Sequence, residues 1–558
     1  MLYPKMNKYR EVFSLNGMWD FRTVADDYKA DEIAKGCQRM SVPASMNEIV
    51  TDKEIKEYVG KFLYERNFSI PIYEKKHYRL RIGATSHKCE VYLNGTKIGG
   101  SPSGFYPIDL PLDNLKETNR LSIIIDNRLD FQCLPVGNLV DGKQIINHDF
   151  YNFTGIHRDV LIYTLPEKYI EDISIKTVVN GDYKKVFVET KTNCETVSYT
   201  VLDRDNHIVA ESKTGDLIIE SPNKWSGEDP YLYTLVVETE SDKYEERFGI
   251  RKVEVKGTEF LLNDKPVYFK GFGLHEDFTI LGKGNNSAVN IRNFELLKWI
   301  NANSFRTSHY PYSEEIMDLA DEYGFMVIDE VPAVCMKWWD GGNFGKERVN
   351  DETKILHKEL IKRLIDRDKN HPSVVMYSLA NEPETAEDNA VPYFEDVFSY
   401  ARTLTDLPLT YVNCAVVWKC QCTHLVDVIC INRYHGWYEQ HGVLSSVEPC
   451  LGKEIETFYE RYKKPIVLSE FGADTIEGLH SLPSESFSEE FQMEILDETC
   501  RLLDKYDYCI GEHVWAFADF KTKQGLTRVR GNRKGVFTRD RQPKLSAHFL
   551  RGRWENKQ

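Results

Sequence analysis

The sequence lacks any long uninterrupted apolar run. No window of its 558 residues approaches the ~18 consecutive apolar residues that a transmembrane helix needs. Residues 1–19 are polar and lack the apolar centre of a signal peptide. An excess of positive charge is also missing, because the formal net charge is −16 at pH 7. These absences argue against a membrane protein, and against nucleic acid or an anionic membrane as the main partner.

The sequence also lacks a disulfide framework and a recognisable metal motif. Its 12 cysteines are scattered, several of them in apolar runs such as residues 428–431. Reduced, buried thiols are typical of cytoplasmic proteins, so a cytoplasmic location is predicted. The closest pair, Cys420 and Cys422, has neither the spacing of a zinc knuckle nor a second pair to match it. We therefore predict no metal and no cofactor.

The pattern of predicted strands and helices changes twice along the chain. Residues 1–166 contain many short alternating strands, with Asn94-Gly95 as a strong hairpin signal, and predict a jelly-roll β-sandwich. Residues 167–255 contain further short strands and predict an immunoglobulin-like β-sandwich without chemistry of its own. A chain of this length is expected to hold several domains, and a third pattern follows.

Residues 256–558 alternate apolar strands with helical periods, which predicts a C-terminal (β/α)8 TIM barrel. Ser313 is predicted to cap one helix and Gly324 to end it. The next helix, residues 351–369, is predicted to place Ile355 and Leu360 on one apolar face. The fold class is thus multidomain, β plus α/β. An open doubly wound sheet is the alternative, and no Gly-rich phosphate loop supports it.

The most informative stretch is residues 374–383, an apolar run that ends in Asn381, Glu382 and Pro383. It follows the helix stop His371-Pro372 and predicts a strand buried on both faces. In a TIM barrel such a strand delivers its last polar side chains to the active site.

Other predicted barrel strands end in polar or aromatic groups as well: His309, Asp329-Glu330, Asn432 to His435, Ser469-Glu470 and Trp515. Parallel barrel strands bring these ends to one pocket. Glu382 and Glu470 form the sharpest pair, since each directly follows an apolar strand. Glycoside hydrolysis needs two carboxyl groups, one protonated at rest by a raised pKa and the other ionised.

Residues 378–383 and 468–472 resemble the acid/base and nucleophile motifs of family-2 glycoside hydrolases. Residues 94–95, 230–233, 248–251 and 306–311 resemble further landmarks of that family, so the resemblance runs along nearly the whole chain. It implies a jelly-roll domain, an immunoglobulin-like domain and a catalytic barrel. It also implies retention through a covalent glycosyl-enzyme, with Glu382 as acid/base and Glu470 as nucleophile, and a homo-oligomer, commonly a tetramer.

The choice of sugar depends on residues 521–544, which contain nine Lys or Arg residues and one acid, Asp540. A solvated basic loop is one interpretation. Beside a glycosidase pocket, however, a basic loop suits a sugar that bears a carboxylate. Asn532 and Lys534 resemble the Asn-x-Lys motif of β-glucuronidases. The resemblance therefore implies an exo-β-D-glucuronidase acting on small-molecule or oligosaccharide β-glucuronides.

The same resemblance implies roles for individual residues. Asn532 and Lys534 bind the sugar carboxylate, with Tyr438 and Arg528 nearby. The remaining expected positions are Asp149, His309 and Trp515 around the glycone, Asn381 on the 2-hydroxyl, and Tyr434 on the nucleophile. The family commonly has a Tyr where His435 stands.

Residues 331–350 are predicted to form an aglycone loop, shorter than in long-loop bacterial β-glucuronidases, with Trp338-Trp339 and Gly341-Gly342 on it. Alternatives stay open at this point. They are a β-galacturonidase or β-galactosidase of the same family, a non-catalytic carbohydrate-binding protein, and a metal-dependent enzyme. The last would use His275, Glu276, His309 and Asp329.

Overall fold

The protein is described from a computed structural model, which covers residues 2–31, 33, 35–180, 183–334, 336 and 349–557. Within these residues, no helix has both the length and the apolar character needed to cross a bilayer. Most of the predicted aglycone loop, including Trp338, Trp339, Gly341 and Gly342, lies outside the described residues.

The N-terminal part is a sandwich of antiparallel sheets. One sheet has the strand order β1-β15-β6-β10 and the other has the order β3-β2-β5-β11-β8-β9. Their facing side chains, among them Trp19, Tyr64, Leu80 and Ile123, form one buried core. The strands are Val12–Ser14 (β1), Gly17–Val24 (β2), Gln38–Val42 (β3), Ala44–Ser45 (β4), Lys61–Phe68 (β5), Lys76–Ile82 (β6), Thr85–Ser86 (β7), Lys88–Leu93 (β8), Thr96–Ser101 (β9), Ile108–Pro111 (β10), Asn119–Asp126 (β11), Gly137–Val140 (β12), Lys143–Ile146 (β13), Gly155–Ile156 (β14) and Val160–Pro166 (β15), with the short helices Met46–Ile49 (α1) and Lys53–Lys56 (α2).

A second, smaller sandwich follows. Its sheets have the orders β16-β17-β20 and β19-β18-β21-β22. Its core contains Ile173, Val201, Leu235 and Tyr244. The strands are Ile170–Asn180 (β16), Tyr183–Thr192 (β17), Val197–Leu202 (β18), Ile208–Ser212 (β19), Asp216–Glu220 (β20), Tyr233–Thr239 (β21) and Lys243–Phe248 (β22).

The C-terminal part is a closed barrel of parallel strands, eight within the described residues. These are Phe269–Gly273 (β26), Ser304–Arg306 (β27), Met326–Glu330 (β28), Val374–Asn381 (β29), Leu409–Asn413 (β30), Ile429–Asn432 (β31), Ile466–Glu470 (β32) and Cys509–Val514 (β33), preceded by Val253–Lys256 (β23), Glu259–Leu262 (β24) and Lys265–Pro266 (β25). The helices are Ser287–Trp299 (α3), Glu314–Tyr323 (α4), Asp351–Asp368 (α5), Ala390–Ala401 (α6), Val447–Tyr462 (α7), Glu489–Leu503 (α8) and Leu545–Asn556 (α9). The predicted TIM barrel is confirmed.

Strand β29 has all eight of its residues buried, as predicted for a strand covered on both faces. The prediction for α4 is also confirmed. The Ser313 hydroxyl accepts a hydrogen bond from the Ile316 N–H at 3.3 Å, and Gly324 ends the helix with φ +79°.

For α5 the predicted face was wrong at one position. Leu360 is fully buried, but Ile355 is 67% exposed, because five residues along a helix turn a side chain well away from its neighbour.

The second sandwich packs against the N-terminal end of the barrel. Trp225, which precedes β21, is fully buried and belongs to the same apolar cluster as Ile328, Val375 and Val467 of the barrel strands. Its indole N–H donates to the Asp321 carbonyl at 2.9 Å. This end of the barrel is therefore closed by packed side chains, and the opposite end, where the strands terminate, holds the polar groups.

Candidate active site

The C-terminal ends of the barrel strands open into a cavity of about 610 Å³. Ten of the eleven predicted site residues line it: Asp149, His309, Asn381, Glu382, Tyr434, Tyr438, Glu470, Trp515, Arg528 and Asn532. The structure thus brings together residues that lie far apart in the sequence. Lys534 is the exception and lies behind the cavity wall.

Glu470 is the last residue of β32 and is only 4% exposed. The buried Arg306 guanidinium donates to one of its carboxylate oxygens, and the Tyr434 hydroxyl donates to the other at 2.7 Å. Burial raises the pKa of Glu470, and the charge of Glu382 adds to that rise, whereas Arg306, His309 and Tyr434 oppose it. The two donors hold the carboxylate form, which is the form that can attack an electrophilic carbon.

Glu382 directly follows β29 and is half-buried. Its φ of +50° lies in the left-handed region, which costs a residue with a Cβ about 1 kcal/mol. Its backbone N–H donates to the Val412 carbonyl at 2.8 Å, which holds this turn. The Asn432 side-chain amide donates to the Glu382 carboxyl at 2.9 Å. The strained turn aims the carboxyl at the cavity rather than along the strand.

The two carboxyl groups differ in their surroundings. Burial is the largest cause of the raised pKa of Glu470, which is more deeply buried than Glu382. The raised pKa expected for Glu382 stays a prediction.

His309 lies three residues beyond the end of β27, not at the strand end itself, and it still reaches the cavity. Its Nδ1 is 2.8 Å from an Oε1 of the fully buried Glu330, and its Nε2 is 3.8 Å from Glu470. The ring stacks on Trp515 with centroids 5.1 Å apart. Burial raises the pKa of Glu330, but Arg306 and His309 outweigh burial, so its pKa lies below the usual value.

Asp149 comes from the loop after β13 in the N-terminal sandwich, so a second domain contributes to the cavity. Arg528 binds its carboxylate through Nε at 2.9 Å and through a terminal nitrogen at 2.8 Å. The Asn532 side-chain amide donates to the same carboxylate at 2.7 Å. These contacts place the amide and the guanidinium together at one end of the cavity.

Lys534 is almost fully buried and forms an ion pair with the buried Asp474. Its ammonium also donates to the Tyr438 hydroxyl at 2.7 Å, and Arg528 donates to that hydroxyl at 2.6 Å. The Lys534 backbone N–H donates to the Asn532 side-chain oxygen at 3.0 Å. The cation therefore reaches the cavity wall through Tyr438, while the backbone of Lys534 orients Asn532.

The basic stretch 521–544 is not a freely solvated loop. Acidic residues from several parts of the chain pair with it: Glu48 with Lys521, Asp149 with Arg528, Asp474 with Lys534, Asp277 with Arg539, and Asp519 with Lys544. Composition alone suggested a local excess of positive charge. In the folded chain these carboxylates neutralise most of the positive charge of residues 521–544. Only particular donors of this stretch therefore reach the cavity.

Sequence reasoning did not assign roles to four residues of the site: Arg306, Glu330 and Asn432 near the carboxyl groups, and Asp474 on Lys534. Arg306 is fully buried and joins Glu330 to Glu470. Arg306 is the last residue of β27, and its position at the end of a barrel strand was a usable signal. Asp474 carried no such signal, because its partners Arg528 and Lys534 lie more than fifty residues further along the chain.

The residues of the metal-dependent alternative are engaged elsewhere. Glu276 accepts hydrogen bonds from Arg158, and Asp329 accepts one from Thr307. In the described part of the chain, side chains close enough together to share a metal ion occur in two other places, Asp203, Asp205 and His207, and Asp318, Asp321 and His371. The geometry gives this alternative no support.

The assembled site pairs a half-buried carboxyl with a buried carboxylate held by two donors. Asn432 connects them, because its amide bonds Glu382 while the Ser469 hydroxyl, next to Glu470, donates to the Asn432 oxygen at 3.0 Å. Two carboxyl groups across a cavity can perform acid-assisted displacement at an acetal carbon.

Three family models match consecutive parts of the chain. Residues 12–166 match "Glycosyl hydrolases family 2, sugar binding domain", residues 168–251 match "Glycosyl hydrolases family 2", and residues 253–558 match "Glycosyl hydrolases family 2, TIM barrel domain". Together these ranges span almost the entire sequence.

Curated relatives align with the chain from end to end. A beta-glucuronidase of Paenibacillus borealis is 41% identical over 99% of this chain and 98% of its own length. A beta-glucuronidase of Streptococcus agalactiae serotype V is 39% identical with the same coverage. Among solved structures, a beta-D-glucuronidase of Dictyoglomus thermophilum superposes with a TM-score of 0.96 at 44% identity, covering 100% of this chain and 99% of that chain.

Proposed function

Because the chain belongs to glycosyl hydrolase family 2, and is therefore a glycoside hydrolase, we propose that it is an exo-β-D-glucuronidase that releases glucuronic acid from β-glucuronides. The relatives named above are beta-glucuronidases and are similar over their full length. The observation that carries the proposal is the group of donors at one end of the cavity: Arg528 and Asn532 on the wall, with Lys534 directly behind.

A uronic acid differs from a neutral hexose by a carboxylate at C6, so the site must supply positive charge where that group lies. Arg528 and Lys534 are each paired with an aspartate, Asp149 and Asp474, so a substrate carboxylate here would share these two cations with the aspartates. Tyr438 receives hydrogen bonds from both cations, which leaves its hydroxyl polarised towards the cavity. Charge-assisted hydrogen bonds of this kind are about twice as strong as neutral ones.

The proposed mechanism is a double displacement with retention. In the first step a Glu470 oxygen attacks the anomeric carbon, the bond to the aglycone oxygen breaks, and Glu382 gives its proton to that oxygen. In the second step the Glu382 carboxylate takes a proton from water, which attacks the anomeric carbon and breaks its bond to Glu470. Asn432, which is hydrogen bonded to Glu382 and to Ser469 beside Glu470, supports their proximity.

Other residues would prepare this chemistry. Arg306 and Tyr434 stabilise the attacking carboxylate, and Asn432 orients the Glu382 carboxyl. We propose Asn381 as the partner of the sugar 2-hydroxyl, and His309 and Trp515 as walls of the glycone pocket. The stacked pair of rings offers one flat face to a sugar ring.

A panel of p-nitrophenyl β-glycosides tests the proposal. The β-glucuronide should be turned over far better than the β-galactoside or the β-galacturonide. Lys534→Met should raise KM for the glucuronide and bring its kcat/KM down by about tenfold or more, because a buried cation that balances the substrate carboxylate is lost.

Lys544→Met is the matched control, since Lys544 is an equally buried lysine paired with an aspartate, Asp519, and its ammonium contacts no residue that lines the cavity. Preferential turnover of a neutral galactoside, or equal effects of the two substitutions on glucuronide turnover, would contradict the assignment of the sugar.

Retention is tested separately, by ¹H NMR of the first-formed anomer. An α-anomer as the first product would rule out the double displacement.

We also propose a homo-oligomer, a tetramer by family resemblance, and a cytoplasmic location. The described cysteines are free thiols, among them Cys420 and Cys422, and this supports a reducing compartment. Light scattering after size-exclusion chromatography would measure the assembly, and fractionation of the source cells would test the location.

A further inference from the structure

The segment at the C-terminal end of β31, residues 432–435, touches both proposed catalytic carboxyl groups. Asn432 donates to Glu382 at 2.9 Å, and Tyr434 donates to Glu470 at 2.7 Å. The Arg433 backbone N–H also donates to the Glu470 carbonyl at 2.9 Å. Contacts that fix the position of residues 432–435 therefore also fix the position of the two carboxyl groups relative to each other.

His435 is the last residue of this segment and is 8% exposed. Its Nδ1 is hydrogen bonded to the Gln440 side-chain oxygen at 3.4 Å and lies 3.1 Å from a Glu439 carboxylate oxygen, and its Nε2 lies 3.2 Å from a Glu454 carboxylate oxygen. Ionised carboxylates only accept hydrogen bonds, and a neutral imidazole has a single N–H. Only the imidazolium, with an N–H on both nitrogens, donates to Glu454 and to the Gln440 oxygen at once and also attracts the Glu439 carboxylate.

The charged groups that face the ring come from three elements. Glu439 belongs to the same loop and is largely exposed, Glu454 belongs to α7 and is buried, and Arg433 at the end of β31 binds the other oxygen of Glu454 at 2.8 Å. The α8 helix adds the apolar Ile495 beside Gly436. A protonated His435 balances the two carboxylates together with Arg433.

Arg433 extends the network to two neighbouring strand ends. Its guanidinium donates to the carbonyls of Asn432 at 2.6 Å, Asn413 at 3.2 Å and Ala415 at 2.9 Å. The Glu454 carboxylate thus connects α7 to the ends of β30 and β31 through one arginine and one histidine. Loss of the His435 contact would leave Glu454 held by Arg433 alone.

We propose that His435 is a positioning residue for the hydrolysis assigned above: its imidazolium clamps residues 432–435 onto α7, and the clamp keeps Asn432 on Glu382 and Tyr434 on Glu470. The inference rests on the proposed function for its catalytic consequence, while the clamp itself stands on the geometry.

The clamp depends on pH. Burial lowers the pKa of His435, but its hydrogen bonds to Glu454 and Gln440 and the charge of Glu439 outweigh burial, so the pKa lies above the ordinary histidine value. A raised folded-state pKa means that the stabilisation is complete below about pH 6.5 and is lost as pH rises through the folded-state pKa. The neutral ring then releases one of its two carboxylates.

The test compares wild-type enzyme with His435→Gln and His435→Tyr over a range of pH. Both variants lack the cation, and the tyrosine retains ring volume. The ratio of wild-type kcat to variant kcat should be largest at low pH, about tenfold near pH 6, as expected when one charge-assisted hydrogen bond is lost. It should fall towards one as pH rises and the wild-type ring loses its proton, while KM changes little because His435 does not line the cavity.

His441→Gln is the matched control. His441 lies in the same loop, but its ring nitrogens face the Trp437 carbonyl and the Ser486 hydroxyl rather than carboxylates. Its activity ratio to wild type should not vary with pH. A merely structural role for His435 would give a ratio that is equally constant over pH, and that result would overturn the proposal.

Failure of the proposed function is distinguishable from failure of the clamp. If the enzyme cleaves a different p-nitrophenyl glycoside, the ratio is measured on that substrate. If it cleaves none, the melting temperature tests the clamp. At low pH the wild type should melt at a higher temperature than His435→Tyr, and this difference should disappear as pH rises. A difference in melting temperature that stays constant over pH would refute the clamp in either case.

Discussion

The hydroxyl of Tyr434 offers the cleanest perturbation of the active site. It lies 2.7 Å from a Glu470 carboxylate oxygen, and Glu470 is buried. Tyr434→Phe removes one oxygen and leaves the ring in place, so the cavity keeps its shape. The remaining donor on the carboxylate is Arg306.

A hydrogen bond to a charged group is worth about 1.5–3 kcal/mol, so kcat/KM should fall roughly 10- to 150-fold if the bond strengthens the nucleophile in the transition state. The pH dependence should change as well. Tyr434 lowers the pKa of Glu470, which burial and Glu382 raise. Without the hydroxyl that pKa rises further, and the acid limb of kcat/KM moves to higher pH because more of the nucleophile is protonated.

The assay is the pH profile of kcat/KM on the p-nitrophenyl glycoside that the enzyme prefers. Tyr393→Phe is the control, since its buried hydroxyl is hydrogen bonded to His357, away from the cavity. It should cost stability without moving the acid limb. An unchanged acid limb together with an unchanged kcat/KM in Tyr434→Phe would show that the contact does not act on the nucleophile, and the reasoning would be wrong.

Three further outcomes are expected. Arg306→Met should lower the free energy of unfolding by about 3–5 kcal/mol at neutral pH, because it leaves Glu330 and Glu470 buried without their cation. Since the pKa of Glu330 is lowered in the folded protein, that penalty should shrink below about pH 4, as thermal melts over pH would measure. Leu360→Ala should cost about 2–5 kcal/mol, whereas Ile355→Ala should stay within about 0.5 kcal/mol in denaturant titrations, because only Leu360 is buried. Dialysis against a chelator should leave activity unchanged, and a loss that Mg²⁺ or Zn²⁺ restored would contradict the two-carboxyl mechanism.

Much of the barrel was predictable because several of its strands are largely apolar runs between turn residues. Strand β29 is the clearest case, with all eight residues buried as its composition indicates. Helix α4 was predictable from its ends, where Ser313 and Gly324 act through local hydrogen bonding and backbone conformation. These signals depend on residues a few positions apart, which the sequence displays directly.

Side-chain partners were less predictable. The stretch 521–544 has a basic composition, but its cations meet acids from distant segments, such as Glu48, Asp149 and Asp277. Which cation is left to face a ligand depends on those pairings. Lys534 was expected on the cavity wall and lies behind Tyr438 instead.

The sequence by itself determined the succession of two β-sandwiches and a barrel, and it predicted Glu382 and Glu470 as the carboxyl pair, because strand patterning and strand-end residues are local properties. Tertiary structure alone decided what those carboxyl groups experience. Arg306, Tyr434 and Asn432 meet them only because parallel strands converge at one end of the barrel, and His435 meets Glu454 only because α7 packs beside that end. Electrostatic environment depends on distance in space, and distance in space is set when the whole chain has folded.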